Sequence, residues 1–465
     1  MLLEKTLIEQ ILDTALSTGA DFAEVYTEEK VSDSIQLIGG RVEKVASVKV
    51  FGVGVRIALK LQSVYGYTNS QNPKDLLKLA ADLSASFNNH ELTKRVPLGE
   101  LEVGTRHQVK KNPKDVSQEE KVALMQKAYK AAKEYDEVIQ QVAINLGDSS
   151  QEVLIANSEG RFVSETRVRA RLYIQAIAGK DGVMQTGGEG PGSGKGYEYF
   201  EEDIDIEEIA KDAARTAKTM LFADDCPSGN MPVIINNKFG GVIFHEACGH
   251  SLEATSVAKN ASVFCGKLNT VVATPIVTAI DDGTIENAWG SANFDDEGTP
   301  QERRVLIDKG VLKTYMVDKL NARRMNHRPT GSSRRESYKY APTSRMSNTY
   351  IDNGTSTFEE IIAATEYGLF AAKLGGGSVN PGNGDFNFSV SEGYIVRDGK
   401  IAEPVRGASL VGNGADILMK IDMVGNNLDS ARGMCGSASG SIPADVGQPT
   451  LRVSSITVGG KKGAK

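Results

Sequence analysis

The sequence predicts an α+β protein with two domains: a mixed α/β N-terminal domain at residues 1–225 and a strand-rich C-terminal domain at residues 226–465. Three observations support this prediction. The length of 465 residues exceeds what one hydrophobic core usually serves. Apolar residues follow both helical and strand periodicities before residue 225. From about residue 271 onward, short strand-like runs alternate with turn residues.

The composition is that of a globular protein and argues against a nucleic-acid-binding or membrane protein. Hydrophobic residues make up 40% and charged residues 24% of the chain, and the formal net charge is −7. An acidic balance lacks the basic footprint of a nucleic-acid-binding surface, and no apolar run is long enough to span a bilayer. The four cysteines contain no C-x-x-C pair and are too few for a disulfide framework. We therefore expect a soluble, cytoplasmic protein with free thiols.

The beginning of the chain alternates between helical and strand patterns. The predicted elements are a helix at 3–18, strands within 23–68, and helices at 73–87 and 117–134. Gly19 ends the first helix, whose acidic residues argue against a cleavable signal. Ser117 and Glu120 have the spacing of a capping box at the start of the third helix.

Strand patterns then resume and lead to a helix before the domain boundary at residues 226–229. The predicted elements are strands at 138–146, 152–156 and 165–178 and a helix at 205–221. Arg167, Arg169 and Arg171 alternate with apolar residues, a row typical of a solvated sheet face, so we assign no anion site to it. The glycine-rich run at 186–196 does not match a phosphate loop position by position. It predicts a flexible loop of the kind often found near a substrate.

The C-terminal domain begins with a buried-type strand at 233–235, and helices are expected near 315–325 and 358–373. Glycine clusters at 375–377 and 412–414 predict tight turns, with a strand edge that pairs with an extended peptide as the alternative. The acidic run Asp295–Gly298 predicts a fold-defining loop in preference to a second metal site.

The stretch Phe244–His250 is a candidate metal site. It contains His245, Glu246 and His250 as an H-E-x-x-x-H motif. Imidazole is a common ligand of transition metals, and a neighbouring glutamate can serve as general base. Histidines five apart point about 140° away from each other on an ideal α-helix, so both reach one metal only if a π-turn widens the helix. We expect this adjustment near Gly249. The alternative is a helix with two ordinary histidines and a surface glutamate.

A catalytic zinc site needs a third protein ligand, which the residues alone leave open. The candidates are Cys248, Cys265, Cys435, His327 and several carboxylates. Cys248, inside the helix, is more typical of a small buried thiol. Cys435 is the favoured candidate because it lies in a glycine-flanked turn, where a thiolate approaches a metal without steric hindrance.

Four separated motifs together resemble one known family. They are FHEACGHSLEA, SANFDDEGTPQERRVLIDKGVL, APTSRMSNTYID and MCGSASGSIPADVGQPTL. In this order they resemble the TldD/PmbA family of zinc metallopeptidases, and the similarity extends from GADFAEVY near the start to the C-terminal strands. The H-E-x-x-x-H motif is that of the catalytic TldD type. The resemblance implies that His245, His250 and Cys435 bind one zinc ion and that Glu246 is the general base.

The resemblance implies a zinc-dependent peptidase that hydrolyses short or unfolded peptides, with a PmbA/TldE-type partner subunit or as a homo-oligomer. One alternative is a non-hydrolytic regulatory binding protein of a gyrase-modulator or toxin–antitoxin type with a structural metal. An intact Glu246 argues against this, because a structural site needs no base. Another alternative is hydrolysis of a modified or cyclic peptide bond. Arg345 and Asn348 are candidates for peptide binding, although a structural role is favoured for both.

Overall fold

Four long strands organise the first half of the molecule. The computed structural model describes residues 2–89, 91–101, 106–380 and 382–461. The elements before residue 223 are α1 (Lys5–Leu16), β1 (Phe22–Ile38), β2 (Arg41–Leu59), β3 (Gln62–Thr68), α2 (Pro73–Ser84), β4 (Gly99–Glu100), α3 (Gln118–Lys133), β5 (Ile139–Asn157), β6 (Arg161–Lys180), β7 (Val183–Glu189), β8 (Gly192–Ser193) and α4 (Ile206–Phe222). The mixture of helices and strands confirms the predicted α+β class. None of the described helices is long and apolar enough to cross a bilayer.

The first sheet has the strand order β3-β2-β1-β5-β6-β4, and β7 and β8 also pair with β6. Helices α3 and α4 cover part of one face, where Met125 and Ala213 join Leu172 of the sheet in one core. Helices α1 and α2 form a second core with β1 and β2. Helix α3 begins as the capping pattern predicts, since the Ser117 hydroxyl accepts a hydrogen bond from the Glu120 N–H at 3.2 Å.

Tertiary pairing changes two predictions in this half. The two predicted strands at 138–146 and 152–156 are the single strand β5, because β1 and β6 pair with it along almost its whole length. The glycine-rich run predicted as a flexible loop instead forms β7 and β8 beside β6. There Gly187 packs so closely on α4 that a Cβ atom would lie 2.2 Å from the Ala213 carbonyl oxygen.

The row of arginines on β6 is also not solvated, contrary to the prediction. Arg167 donates to the Phe294 carbonyl at 3.0 Å, and Arg169 donates to the Ser291 carbonyl at 2.8 Å. The sheet face that carries them is covered by residues of the C-terminal half, which no local pattern in β6 reports.

Residues 224–459 form two further large sheets and the two-stranded sheet β14–β15. The strands are β9 (Asp224–Asp225), β10 (Gly229–Ile235), β11 (Ala279–Asp282), β12 (Arg303–Asp308), β13 (Val311–Leu312), β14 (Ser333–Arg334), β15 (Thr343–Ser344), β16 (Asn348–Ile351), β17 (Tyr367–Val379), β18 (Asp385–Arg397), β19 (Lys400–Arg406), β20 (Ser409–Asn413), β21 (Ile421–Val424), β22 (Asp429–Ser437), β23 (Gly440–Gln448) and β24 (Leu451–Gly459). The α-helices are α5 (Val242–Phe244), α6 (Ala254–Val257), α7 (Lys319–Met325), α8 (Phe358–Ala363) and α9 (Gly414–Leu418).

The second sheet closes on itself and the third ends in a hairpin. Strands β17, β10, β24, β20 and β18 pair in this order, and β18 pairs back with β17, which makes a five-stranded barrel. The third sheet has the order β13-β12-β11-β16-β23-β22 and ends at the hairpin β22–β23. The motif-bearing segment shares its apolar core with both, since Ala247, Leu369 of β17 and Ile442 of β23 belong to one cluster.

Several predicted boundaries in this half are wrong. The helix expected at 358–373 ends at Ala363, and residues 367–379 are β17, which β10 and β18 flank as partners. The helix expected near 315–325 begins only at Lys319, because Asp318 caps it by accepting the Asn321 N–H at 3.0 Å. The glycines at 375–377 lie within β17 and do not form a tight turn.

Buried ion pairs join the two halves of the molecule. Arg56 of β2 donates to Glu24 of β1 at 2.9 Å and to Glu297 at 2.5 Å. Arg335 donates to the other carboxylate oxygen of Glu24 at 2.7 Å. The Asp295 carboxylate accepts the N–H groups of Glu297 and Thr299 at 3.0 and 2.8 Å. The acidic run Asp295–Gly298 therefore organises the fold, as predicted.

Candidate metal centre

The motif helix contains the π-turn that its histidine spacing predicts. Helix α5 ends at Phe244, residues His245–Gly249 form a π-turn, and a 3₁₀ turn follows at His250–Leu252. The N–H of His250 donates to the carbonyl of His245, five residues earlier. This widening brings both imidazoles to one side of the helix, with ring centroids 5.3 Å apart.

Gly249 is required for packing beside this turn. A Cβ atom at position 249 would lie 2.2 Å from the Met346 sulfur, although the backbone is helical, with φ −56° and ψ −52°. Met346 is fully buried. The glycine therefore lets the segment between β15 and β16 approach the π-turn, and conformational freedom at this position plays no part.

Cys435 completes a three-residue cluster with the two histidines. Its sulfur lies 3.2 Å from His245 Nε2 and 3.3 Å from His250 Nε2. The flanking glycines had predicted a turn here, but Cys435 lies in strand β22. Cys435 itself is buried, whereas the next residue, Gly436, faces the opposite side of the strand and has nothing within 4 Å of a Cβ atom.

The cluster fits a transition metal. One donor atom from each of His245, His250 and Cys435 can be chosen so that all three lie within 4.8 Å of one another. Donors about 2.0 and 2.3 Å from a tetrahedral zinc ion lie about 3.5 Å apart. The observed nitrogen–sulfur distances of 3.2 and 3.3 Å are close to that separation.

Both imidazoles are oriented through their second nitrogen. Nδ1 of His245 lies 2.9 Å from the Thr349 hydroxyl oxygen, and Nδ1 of His250 lies 3.2 Å from Oε1 of Glu253. If each Nδ1 carries the proton, each Nε2 presents its lone pair toward Cys435. Such partners fix the tautomer and the ring plane of a metal-binding histidine.

A buried arginine, Arg345, contacts the hairpin that carries Cys435. The side chain of Arg345 is fully buried and donates to the carbonyl of Cys435, to the Gly440 carbonyl and to the Ser439 hydroxyl. Its Nε atom also lies 3.8 Å from the Glu253 carboxylate. Arg345 thus connects the hairpin that carries Cys435 to the carboxylate that holds His250.

The electrostatics favour a metal-binding thiolate. Burial opposes ionisation of Cys435, but the adjacent His245 and His250 outweigh it and lower the pKa of the thiol to about 3. Burial likewise lowers the pKa of His250, but Glu253 and Cys435 raise it well above its usual value. The thiolate is the form in which cysteine binds a metal.

Glu246 is more exposed to solvent than either histidine of the motif. Its carboxylate lies 3.6 Å from His250 Nε2, and the side chain is 31% exposed. Glu253, in contrast, is 5% exposed and directed at the far nitrogen of His250. The two carboxylates therefore differ in position: Glu246 borders the open side of the cluster, and Glu253 lies behind it.

The other predicted ligands do not join this cluster. Cys248 is fully buried with its sulfur 3.5 Å from the Gly414 carbonyl, and burial raises the pKa of its thiol far above the usual value. Cys265 contacts the Val257 carbonyl at 3.5 Å. His327 lies two residues beyond the end of α7, and its Nδ1 contacts the neighbouring Arg328 carbonyl.

Asn348, the remaining candidate, lies inside the protein. Its amide donates to the Asp282 carbonyl at 2.5 Å and to the Ser291 hydroxyl at 2.8 Å, and its oxygen accepts the Gly290 N–H at 2.9 Å. All of these contacts are internal, as are those of Arg345.

Sequence reasoning missed Glu253 and Thr349. Glu253 had a usable signal, because it follows His250 by three residues and such pairs meet on one helical face. Thr349 had none, since only the pairing of β16 with β11 and β23 brings it beside His245.

Comparison with known proteins assigns the chain to a family. Three consecutive family models match the chain: PmbA/TldA metallopeptidase domain 1 at residues 23–86, the central domain at 111–221 and the C-terminal domain at 228–460. The chain belongs to the PmbA/TldD metallopeptidase family. The predicted resemblance to this family is thereby confirmed.

Curated relatives in this family include named metalloproteases. The chain is 36% identical to a Metalloprotease TldD homolog of Buchnera aphidicola over 457 residues, which cover 97% of this chain and 95% of that protein. It is also 36% identical to the Haemophilus influenzae homolog of the same name over 458 residues, 97% of this chain and 95% of the relative. A metalloprotease of Methanocaldococcus jannaschii is 33% identical, with 96% of this chain and 97% of that protein covered.

Solved structures share the PmbA/TldD fold. A Thermotoga maritima protein described as a modulator of DNA gyrase has a TM-score of 0.81 at 24% identity, with 98% of this chain and 100% of that chain covered. TldE from Thermococcus kodakarensis has a TM-score of 0.78 at 17% identity, with coverage of 97% and 99%. At these identities the likeness concerns the fold alone.

Proposed function

We propose that this family member is a zinc-dependent peptidase that hydrolyses short or unfolded peptides. The observation that carries the proposal is the convergence of His245 Nε2 and His250 Nε2 on the Cys435 sulfur, at 3.2 and 3.3 Å. Two imidazoles and a thiolate favour zinc over the harder divalent metals. Three protein ligands also leave a fourth position, as catalytic zinc sites do.

Each residue of the centre then has a defined task. A zinc ion held by His245, His250 and Cys435 would lower the pKa of a water ligand and polarise the carbonyl of a bound peptide. Glu246 accepts the proton of the attacking water and delivers it to the leaving amine. Its partial exposure of 31% supports this role, because a general base must reach both water and substrate.

A partner subunit is part of the proposal. We propose that the chain works with a PmbA/TldE-type subunit or as a homo-oligomer in the cytoplasm. The likeness of its fold to TldE supports a partner of the same architecture. Analytical ultracentrifugation of the chain, alone and mixed with a TldE-type protein, should show a complex larger than the monomer. A monomer under both conditions would contradict this part.

Metal content and peptide hydrolysis, measured on the same samples, test the peptidase itself. Wild type, Cys435→Ser and Glu246→Gln are each incubated with zinc, freed of excess metal and assayed by inductively coupled plasma mass spectrometry. We expect one zinc per chain in wild type and in Glu246→Gln, and a lower zinc content in Cys435→Ser. Only the wild type should cleave an unfolded peptide.

The outcomes separate the proposal from its competitor. A full zinc content in Cys435→Ser would show that this cysteine is not a ligand. Peptide cleavage by Glu246→Gln at the wild-type rate would show that Glu246 is not the general base. A zinc-loaded wild type that cleaves neither linear nor modified peptides would favour a regulatory binding protein with a structural metal.

A further inference from the structure

One face of the first sheet carries three cations, Lys30, Arg169 and Arg171, that form no ion pair with the residues that the structure describes. Residues Ile35, Leu146 and Leu172 point toward the helix-covered core. Their chain neighbours Ser34, Gly147 and Arg171 are aligned across β1, β5 and β6 and therefore lie on the opposite face. Lys30 and Arg169 lie on the same face, at even spacing along β1 and β6.

Arg171 is the most informative of these cations. It forms no hydrogen bond or ion pair with any residue that the structure describes, and its buried Nε atom is without a partner. The guanidinium carbon lies 6.0 Å from the centre of the Trp289 ring. Gly190, in the glycine-rich run, leaves room for it, since a Cβ atom there would lie 2.7 Å from Arg171 Nη2.

Burial lowers the pKa of Arg171, and the nearby Tyr173 and Asp445 offset this effect only in part. Among the described residues, Arg169 donates only to the carbonyls of Val168 and Ser291, at 2.9 and 2.8 Å. Burial, with the nearby charge of Arg167, lowers the pKa of Arg169 to about 10. Burial also lowers the pKa of Lys30, which forms no ion pair within the described residues. Half-buried cations without partners are costly, and a bound anion would offset that cost.

This face adjoins the strand that carries the metal centre. The indole Nε1 of Trp289, on which Arg171 lies, donates to the Gly433 carbonyl at 2.8 Å. Gly433 precedes Cys435 by two residues in β22, a separation of about 7 Å along a strand. An extended peptide of a few residues, which spans about 3.3–3.6 Å per residue, could therefore reach from the metal centre to the guanidinium of Arg171.

We propose that Arg171 binds a carboxylate of the peptide substrate, either its C-terminal carboxylate or an acidic side chain near that end. The proposal rests on the peptidase function above. A guanidinium matches a carboxylate through two parallel N–H donors, and Trp289 and Gly190 hold this one in place without using its donors. The site would select where along a peptide the cut occurs.

The test compares peptides that differ only at the proposed contact. Three versions of one labelled peptide are used: a free C-terminal acid, a C-terminal amide, and an amide that ends in glutamate. Binding to zinc-loaded Glu246→Gln is measured by fluorescence anisotropy, in that background alone and with Arg171→Gln, Arg171→Lys or Lys180→Gln added. Lys180 is an exposed cation at the end of the same strand, and its substitution controls for net charge.

We expect at least one carboxylate-bearing peptide to bind about tenfold more tightly than the plain amide, as hydrogen bonds to a charged group allow. Arg171→Gln should abolish this preference, Arg171→Lys should retain part of it, and Lys180→Gln should leave it intact. The peptide that shows the preference identifies the source of the carboxylate. If circular dichroism shows that Arg171→Gln does not fold, Arg171→Lys is compared with the parent protein instead, and a weaker preference for the carboxylate in Arg171→Lys is the expected result.

Equal binding of all three peptides to the parent protein would overturn the proposal, as would a preference that survives Arg171→Gln. Hydrolysis by the wild type distinguishes this failure from failure of the peptidase itself. Cleavage of the acid and the amide at the same rate would support the peptidase function and contradict the carboxylate site. Cleavage of neither peptide by the zinc-loaded wild type would contradict both proposals.

Discussion

Nδ1 of His250 lies 3.2 Å from Oε1 of Glu253, a buried carboxylate three residues further along the chain. The contact holds the imidazole so that its other nitrogen faces Cys435 at 3.3 Å. A carboxylate behind a histidine raises the basicity of that ligand and fixes its orientation. Glu253 is therefore a positioning residue for the proposed metal, distinct in role from Glu246.

Replacing Glu253 with Gln should weaken zinc binding about tenfold. The amide keeps the shape and one acceptor but loses the charge that supports His250. Zinc affinity is measured by competition with a chromophoric chelator. The control is Glu286→Gln, which neutralises an exposed glutamate elsewhere. Unchanged affinity in Glu253→Gln would mean that Glu253 does not support the ligand.

Thr349→Val should weaken zinc binding through the other histidine. The valine is nearly isosteric but removes the oxygen that lies 2.9 Å from His245 Nδ1. We expect a loss of about tenfold in affinity, and Thr349→Ser should restore most of it because the hydroxyl returns. Equal losses in Val and Ser variants would point to packing instead of the hydrogen bond.

Gly249→Ala should destabilise the protein by about 1–3 kcal/mol, the usual cost of overpacking a core. The added methyl group meets the buried sulfur of Met346 at 2.2 Å. The measurement is urea denaturation followed by circular dichroism. Gly436→Ala is the matched control, since nothing lies within 4 Å of its Cβ position. A Gly249→Ala variant as stable as the control would show that the π-turn tolerates a side chain there.

The two carboxylates that contact Lys121 should give opposite pH dependences of stability. Its ammonium group is fully buried between Asp33 at 2.7 Å and Asp148 at 2.8 Å. Burial raises the pKa of Asp148 to about 6. A raised pKa means that the folded state binds the proton more tightly, so this contribution to stability is present below about pH 4 and is lost as the pH rises through 6.

The stability of wild type relative to Asp148→Asn should therefore fall by on the order of 2–3 kcal/mol between pH 4 and pH 7. Asp33 is the control of opposite sign. Burial opposes its ionisation, but hydrogen bonds from Lys121 and Ser47 outweigh this and lower its pKa. Its contribution is present above about pH 4 and is lost as the pH falls below it. Urea unfolding at a series of pH values measures both, and parallel curves for wild type and Asp148→Asn would contradict the assignment.

The sequence alone determined the features that depend on neighbours along the chain. Five-residue spacing of His245 and His250 predicted the π-turn, because helix geometry dictates where each side chain points. The three-residue spacing of Ser117 and Glu120 predicted a helix start for the same reason, and the Ser117 hydroxyl accepts the Glu120 N–H there. Cys435 was singled out among four cysteines, although its strand was taken for a turn.

Only the tertiary structure decided which partners cover each element. The arginines of β6 have the pattern of a solvated face, yet Ser291 and Phe294 lie against them. Thr349 lies beside His245 because strands that are far apart in sequence pair with each other. Local periodicity records which side chains of an element share a face. What packs on that face is set by contacts across the fold, which leave a few groups, such as the guanidinium of Arg171, without a hydrogen bond or ion pair among the described residues.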